Sequence, residues 1–113
     1  MATDPIVRIS ILRCDPAQFD KLRQLTIESE AALREGIERM PGILAFYAGA
    51  DPATCSLTNT SLWDRLEHAQ QLDHFQPMLD AAKRFAAEGA RFERPIMNYA
   101  TLWRFGRMSQ SQG

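Results

Sequence analysis

Cysteine and histidine, the side chains of most zinc and thiol redox sites, are scarce in this chain. Its 113 residues include two cysteines and two histidines. Cys14 and Cys55 lie far apart in sequence with no C-x-x-C spacing, which argues against the common zinc and dithiol motifs. They read as free thiols of a reducing cytoplasm. His68 and His74 have no matching carboxylate pattern beside them, so no metal site is expected. Charge of one sign is missing too: the formal net charge is −1, and no basic field would recruit nucleic acid or an anionic membrane. No apolar run approaches the ~20 residues of a membrane-spanning helix. The opening MATDPIV lacks the charged and apolar regions of a signal peptide, and none is expected. A glycine-rich nucleotide fingerprint, a P-loop and a nucleophile elbow are also absent.

What is present is a regular alternation of strand and helix patterns. Ile6 to Leu12 alternates, with Val7, Ile9 and Ile11 on one face and Arg8 and Ser10 on the other, which predicts a strand buried on its aliphatic face. Asp15-Pro16 predicts a helix start, with Asp15 as cap. Phe19, Leu22, Leu25, Ser29, Leu33, Ile37 and Met40 follow at helical spacing. Gly36 is expected to loosen the last turns, and Met40-Pro41-Gly42 to end the helix. Ile43 to Ala48 predicts a second strand, apolar on both faces. A turn over 49–54 and a third strand from Cys55 to Trp63 come next. Asp64 and Glu67 are placed as in a capping box for a short helix. A break is expected near Gln76-Pro77, then a helix from Met78 to Glu88 with Met78, Leu79, Ala82, Phe85 and Ala86 inward. A last strand is predicted from Pro95 to Phe105, with Met97, Tyr99, Thr101, Trp103 and Phe105 on one face.

The order β-α-β-β-α-β predicts an α+β, ferredoxin-like fold: one antiparallel sheet with both helices on one face. One domain over 1–106 and a flexible tail over 107–113 complete the reading. Two helices leave the other sheet face as an exposed apolar patch, which soluble monomers avoid. A homodimer packed sheet to sheet is therefore expected.

The chain resembles the antibiotic biosynthesis monooxygenase-like group of the dimeric α+β barrel superfamily. The residues that carry the resemblance are Met40-Pro41-Gly42-Ile43-Leu44, closing the long helix into the second strand, and Leu62-Trp63, ending the third strand before an acidic residue. Cofactor-free members of that group have an asparagine four residues before this tryptophan, lining the substrate cavity; Asn59 and Trp63 keep that spacing. The resemblance implies a dimeric α+β barrel and oxidation of a small aromatic phenol or enol by dioxygen, with no cofactor. Haem-degrading relatives carry a tryptophan and a histidine where this chain has about Leu72 and Ala82, so haem is not expected.

Strand periodicity puts Asn59 and Trp63 on one face. Asn59 is the candidate donor to a developing oxyanion. Trp63 is a candidate for stacking on a planar substrate, or a core anchor. His74, beside Leu72 and Phe75, is the first candidate base and His68 the second. Phe46, Tyr99 and Leu72 are candidate substrate-binding residues. Tyr47, Tyr99 and Trp103 also suit a core or dimer interface, and Arg8 is a candidate inward-facing charge. The expected partner is a small hydrophobic or aromatic molecule. A non-catalytic ligand-binding or dimerisation protein of the same fold is the alternative.

Overall fold

The computed structural model describes residues 5–106; the predicted tail over 107–113 lies outside them. The chain runs β1 (Ile6–Arg13), α1 (Pro16–Glu38), β2 (Ile43–Asp51), β3 (Ser56–Trp63), α2 (Leu66–Ala69), a 3-10 turn (Gln70–His74), α3 (Gln76–Ala87), β4 (Arg91–Phe92) and β5 (Met97–Ala100). The sheet is antiparallel in the order β2-β3-β1-β4, with β5 also pairing β1. This is the predicted α+β, ferredoxin-like arrangement, and within one chain the sheet is open. No helix among the described residues is long and apolar enough to cross a membrane.

Pairing decides which face of each strand meets the helices. Ile6, Arg8, Ser10 and Leu12 of β1 lie opposite Trp63, Ser61, Asn59 and Leu57 of β3. Leu12, Leu57, Ser61, Trp63 and Arg8 are buried there. The helices therefore cover the face of β1 that carries Arg8 and Ser10. Val7, Ile9 and Ile11, expected as the buried face, lie half-buried on the helix-free side. In β2, a register shift between Ile43 and Ala45 marks a bulge. An extra residue re-aims the side chains beyond it, so Ile43 and Phe46 both join the helix-facing set, opposite Trp63 and Ser61.

The core is split. One cluster gathers Leu12, Phe19, Leu22, Leu25 and Leu57, with Phe85 and Phe92 against it. The other gathers Ile37, Trp63, Ala69 and Leu72, with Leu33, Phe46, Phe75 and Met78 against it. Between them the middle of the sheet is polar: Ser10 faces Asn59 and Arg8 faces Ser61. The α1 stripe follows this division. Phe19, Leu22, Leu25 and Ile37 are buried, while Ser29 and Leu33 between them are only half-buried.

Several local expectations are corrected. Asp15 occupies the N-cap position of α1 without a side-chain cap bond; its carboxylate accepts from Arg91 Nη1 at 3.3 Å. Gly36 is a packing residue, because a Cβ there would lie 2.5 Å from Phe75 Cζ. The second strand runs on to Asp51, whose carboxylate accepts from the Ala53 amide at 3.0 Å and shapes the turn. The break near Gln76-Pro77 falls at Phe75, whose extended ψ of 104° separates the 3-10 turn from α3. Pro77 then sits in the first turn of α3, where its missing N–H has no helical acceptor to lose. That helix has no buried residue; Met78, Ala82 and Phe85 are half-buried, and Leu79 and Ala86 are exposed. The predicted last strand is two short ones, and β5 stops at Ala100, opposite Ile6. Thr101 closes the ladder with its amide and hydroxyl on the Pro5 carbonyl at 2.9 and 3.0 Å. Pro5 has no N–H with which to extend the pairing. Leu102, Trp103 and Phe105 consequently project from the sheet, 93%, 75% and 86% exposed.

Candidate functional site

The gap between the two core clusters is a cavity of about 940 Å³, at the upper end of the roughly 300–1,000 Å³ usual for small-molecule sites. Its floor is the polar centre of the sheet: Arg8, Ser10, Asn59 and Ser61. Phe46, Leu33, Leu72, Met78 and Phe85 are among its apolar walls. Apolar walls around a few convergent polar groups are the usual composition of a ligand site. No side-chain nitrogen or oxygen is fully buried without a partner among the described residues. The Asn59 side-chain amide has no hydrogen bond among the described residues and lines the cavity. Arg8 Nη2 donates to Asp73 Oδ1 at 2.6 Å, tying the floor to the 3-10 turn. Only 6% of the Arg8 side chain is exposed, against 46% for Asp73.

Trp63 closes one end of this region. It is fully buried in the second cluster, and its Nε1–H donates to Ser61 Oγ at 2.8 Å. Burying an indole is favourable when its N–H finds an acceptor, and Ser61, on the same face, supplies one. Trp63 is absent from the cavity lining. Beyond it, the Asp64 carboxylate meets His68 Nδ1 at 2.7 Å. The N-cap position of α2 is held by Arg65 with no side-chain cap bond, so the predicted capping box is replaced by an Asp64–His68 pair. That pair rests on Gly42, which has φ +83°; a Cβ there would collide with both side chains. Glycine is therefore required at this step both for its backbone angle and for space. The Gln71 amide donates to the Pro41 carbonyl at 2.9 Å and fastens the same corner.

The structure distributes the predicted site residues unevenly. Asn59, Phe46 and Leu72 line the cavity. Trp63 stands behind it. His74 is exposed, lies at the end of the 3-10 turn and is absent from the lining. His68 is engaged with Asp64. Tyr99 pairs with Val7 of β1 on the helix-free face and is 48% exposed. Ser10, Ser61 and Asp73 are site residues that sequence reasoning missed, and Arg8 was seen only as an inward charge. A signal for the floor was present: polar residues at every second position of β1 and β3, at the height where the α1 stripe carries Ser29. Among the described residues, no group of three or more His, Cys, Asp or Glu side chains could hold a metal ion. Burial pushes the Cys14 thiol above its ordinary range, with Cys55 adding to the effect.

No family model matches the chain, and no curated protein matches it in sequence. Solved structures do match. The fold is similar to that of a candidate antibiotic biosynthesis monooxygenase from Deinococcus radiodurans, with a TM-score of 0.69 and 17% identity, over 92% of this chain and 99% of that one. A second candidate antibiotic biosynthesis monooxygenase, from Nitrosomonas europaea, matches with a TM-score of 0.67 and 14% identity, over 94% and 98%. SnoaB from Streptomyces nogalater, a cofactor-independent oxygenase, matches with a TM-score of 0.60 and 14% identity, over 92% and 99%. The chain thus has the antibiotic biosynthesis monooxygenase-like fold, as its sequence led us to expect.

Proposed function

We propose that this protein is a cofactor-independent monooxygenase acting on a small aromatic phenol or enol. The observation that carries the reading is the Asn59 amide on the polar floor of a cavity walled by Leu33, Phe46, Leu72, Met78 and Phe85, in a fold similar to that of a cofactor-independent oxygenase. The substrate loses a proton, and the Asn59 N–H holds the oxyanion in an environment where such a bond is stronger than in water. The anion passes one electron to dioxygen, giving a substrate radical and superoxide. Their recombination forms a C–O bond, and protonation gives a hydroperoxide; loss of the proton on that same carbon with cleavage of the O–O bond releases water and leaves a new carbonyl. Phe46 and Leu72 hold the ring, and Trp63 acts from behind by fixing Ser61. Oxygen uptake with a panel of hydroxylated polycyclic aromatics tests the reading. Asn59→Ala should lower turnover by about 10²-fold, the size expected for one lost oxyanion donor. Unchanged turnover in that variant would move the chemistry elsewhere.

A second reading, a non-catalytic binder of the same class of molecule, is favoured by one observation: neither imidazole lines the cavity. Tight binding without oxygen uptake would select it. Under either reading we propose a homodimer joined through the helix-free sheet face. Val7, Ile9, Ile11 and Leu62 lie there half-buried, with Met97 and Tyr99 beside them 42% and 48% exposed. Sedimentation should give twice the 12.8 kDa of one chain.

A further inference from the structure

We infer that the cavity selects a planar ligand carrying an anionic oxygen group, with Arg8 as its anchor; this specifies the ligand of the site proposed above. The first reason is where the cation lies. Arg8 is buried to 5% exposure on the central strand, and burying a charge is costly unless it is paired or used. Its partner covers it only in part. Asp73 Oδ1 takes one bond from Nη2, whereas a guanidinium offers five donors in a planar fork. Among the described residues the Arg8 side chain makes no other hydrogen bond, and none of its nitrogens is fully buried without a partner. The remaining N–H groups are therefore reached from the cavity that Arg8 lines.

The second reason is the state of the other charges around the cavity. Glu30 and Glu38 both engage Arg34 on the exposed face of α1. Asp73 is spent on Arg8, and its charge is screened by solvent at 46% exposure. On the cationic side, Arg94 donates to the Glu93 carbonyl and lies 5.0 Å from the centre of the Phe92 ring. The Glu93 carboxylate is itself taken by Arg13. The carboxylates of the lining thus have cationic partners, while Arg8 retains unused donors and Arg94 stands at the rim. Ser10 and Asn59 lie one pleat along the same floor and can complete the shell of a carboxylate, phenolate or enolate. A charge-assisted, fork-shaped contact is the kind that discriminates ions from neutral isosteres.

Calorimetric titration of the full chain with 2-naphthoate and with 2-naphthamide, the same ring without the charge, tests this. The carboxylate should bind roughly tenfold or more tightly than the amide, as one charged hydrogen-bonding group warrants. Arg8→Met should bring the two to within about twofold of each other. Asp73→Asn is a second variant, at a half-exposed position that does not threaten folding. It frees the Nη2 donor and removes the competing charge, so naphthoate binding should tighten while naphthamide binding is unchanged. Equal affinity for the two probes, binding of neither, or naphthoate affinity unmoved in Asp73→Asn would overturn the inference. Failure of the monooxygenase reading looks different: charge-selective binding without oxygen uptake from any aromatic removes that reading and leaves this one. Oxygen uptake without charge preference does the reverse.

Discussion

Asn59 and Trp63 lie four residues apart on one face of one strand, yet they occupy opposite kinds of environment. Around Trp63 the protein is dry and filled. The ring packs with Ile37, Ala69 and Leu72, and its one polar atom is satisfied by Ser61. Around Asn59 the same face opens. The neighbours across the sheet are Ser10 and Ala48, too small to fill the space beneath α1 and α3. A tryptophan-sized volume is supplied at one end of the strand and withheld in its middle. The cavity is the result, and it shows that a site can be built by what a core omits between two well-packed clusters.

The largest effect that would sharpen this contrast is in stability. Trp63→Ala should cost about 3–5 kcal/mol in urea unfolding, the usual loss for truncating a buried aromatic. Asn59→Ala, at a position that opens on the cavity, should change it by less than about 1 kcal/mol. Equal losses in the two variants would mean that Asn59 belongs to the packed core, and the contrast would fail.

A smaller effect is expected where the second cluster is tightest. Gly36→Ala places a methyl group where the Phe75 ring now lies. Overpacking of this kind typically costs about 1–3 kcal/mol, even though alanine is the better helix former by roughly 1 kcal/mol. Denaturant midpoints should therefore fall. A rise would show that helix propensity wins and that the Phe75 contact is loose.

The smallest effect concerns the first cluster. The Cys14 thiol is pushed up by burial, so its neutral form is favoured in the folded protein and its thiolate in the unfolded one. At neutral pH both states hold the proton and stability is unaffected. As the pH rises through the ordinary thiol range, the unfolded chain releases its proton first, and stability falls. The urea midpoint should decline over that range, and Cys14→Ala should flatten the decline. No difference between the two proteins would mean that the thiol is better solvated than its place beside Leu12 and Phe19 implies.

The strand and helix order was legible because each element carries its own period. The α1 stripe, the alternation of β1 and β3, and the Pro41-Gly42 stop can each be read from a few neighbouring residues. Asn59 was likewise within reach as a cavity residue, through the family resemblance whose spacing to Trp63 it keeps; Phe46 reaches the cavity side through the bulge in β2. The face of β1 was read the other way round. Local pattern says only that Val7, Ile9 and Ile11 share a side; it does not say which side the helices take. Nor does spacing show that Asp64 would turn to His68 in place of a helix cap, since both uses satisfy the same carboxylate.

The order of strands and helices and the strand-end tryptophan are consequences of residues acting on their near neighbours, and the chain alone settled them. The pairing of Arg8 with Asp73, sixty-five positions away, arises only when β1 and the 3-10 turn meet across the sheet. The exposure of His74 and the place of Tyr99 on the helix-free face depend on the same assembly. A side chain's period is set by its own backbone, but the partner it finds is set by every element packed above it. For that reason an inward charge at Arg8 could be anticipated from the sequence, while its Asp73 partner came into view only with the tertiary structure.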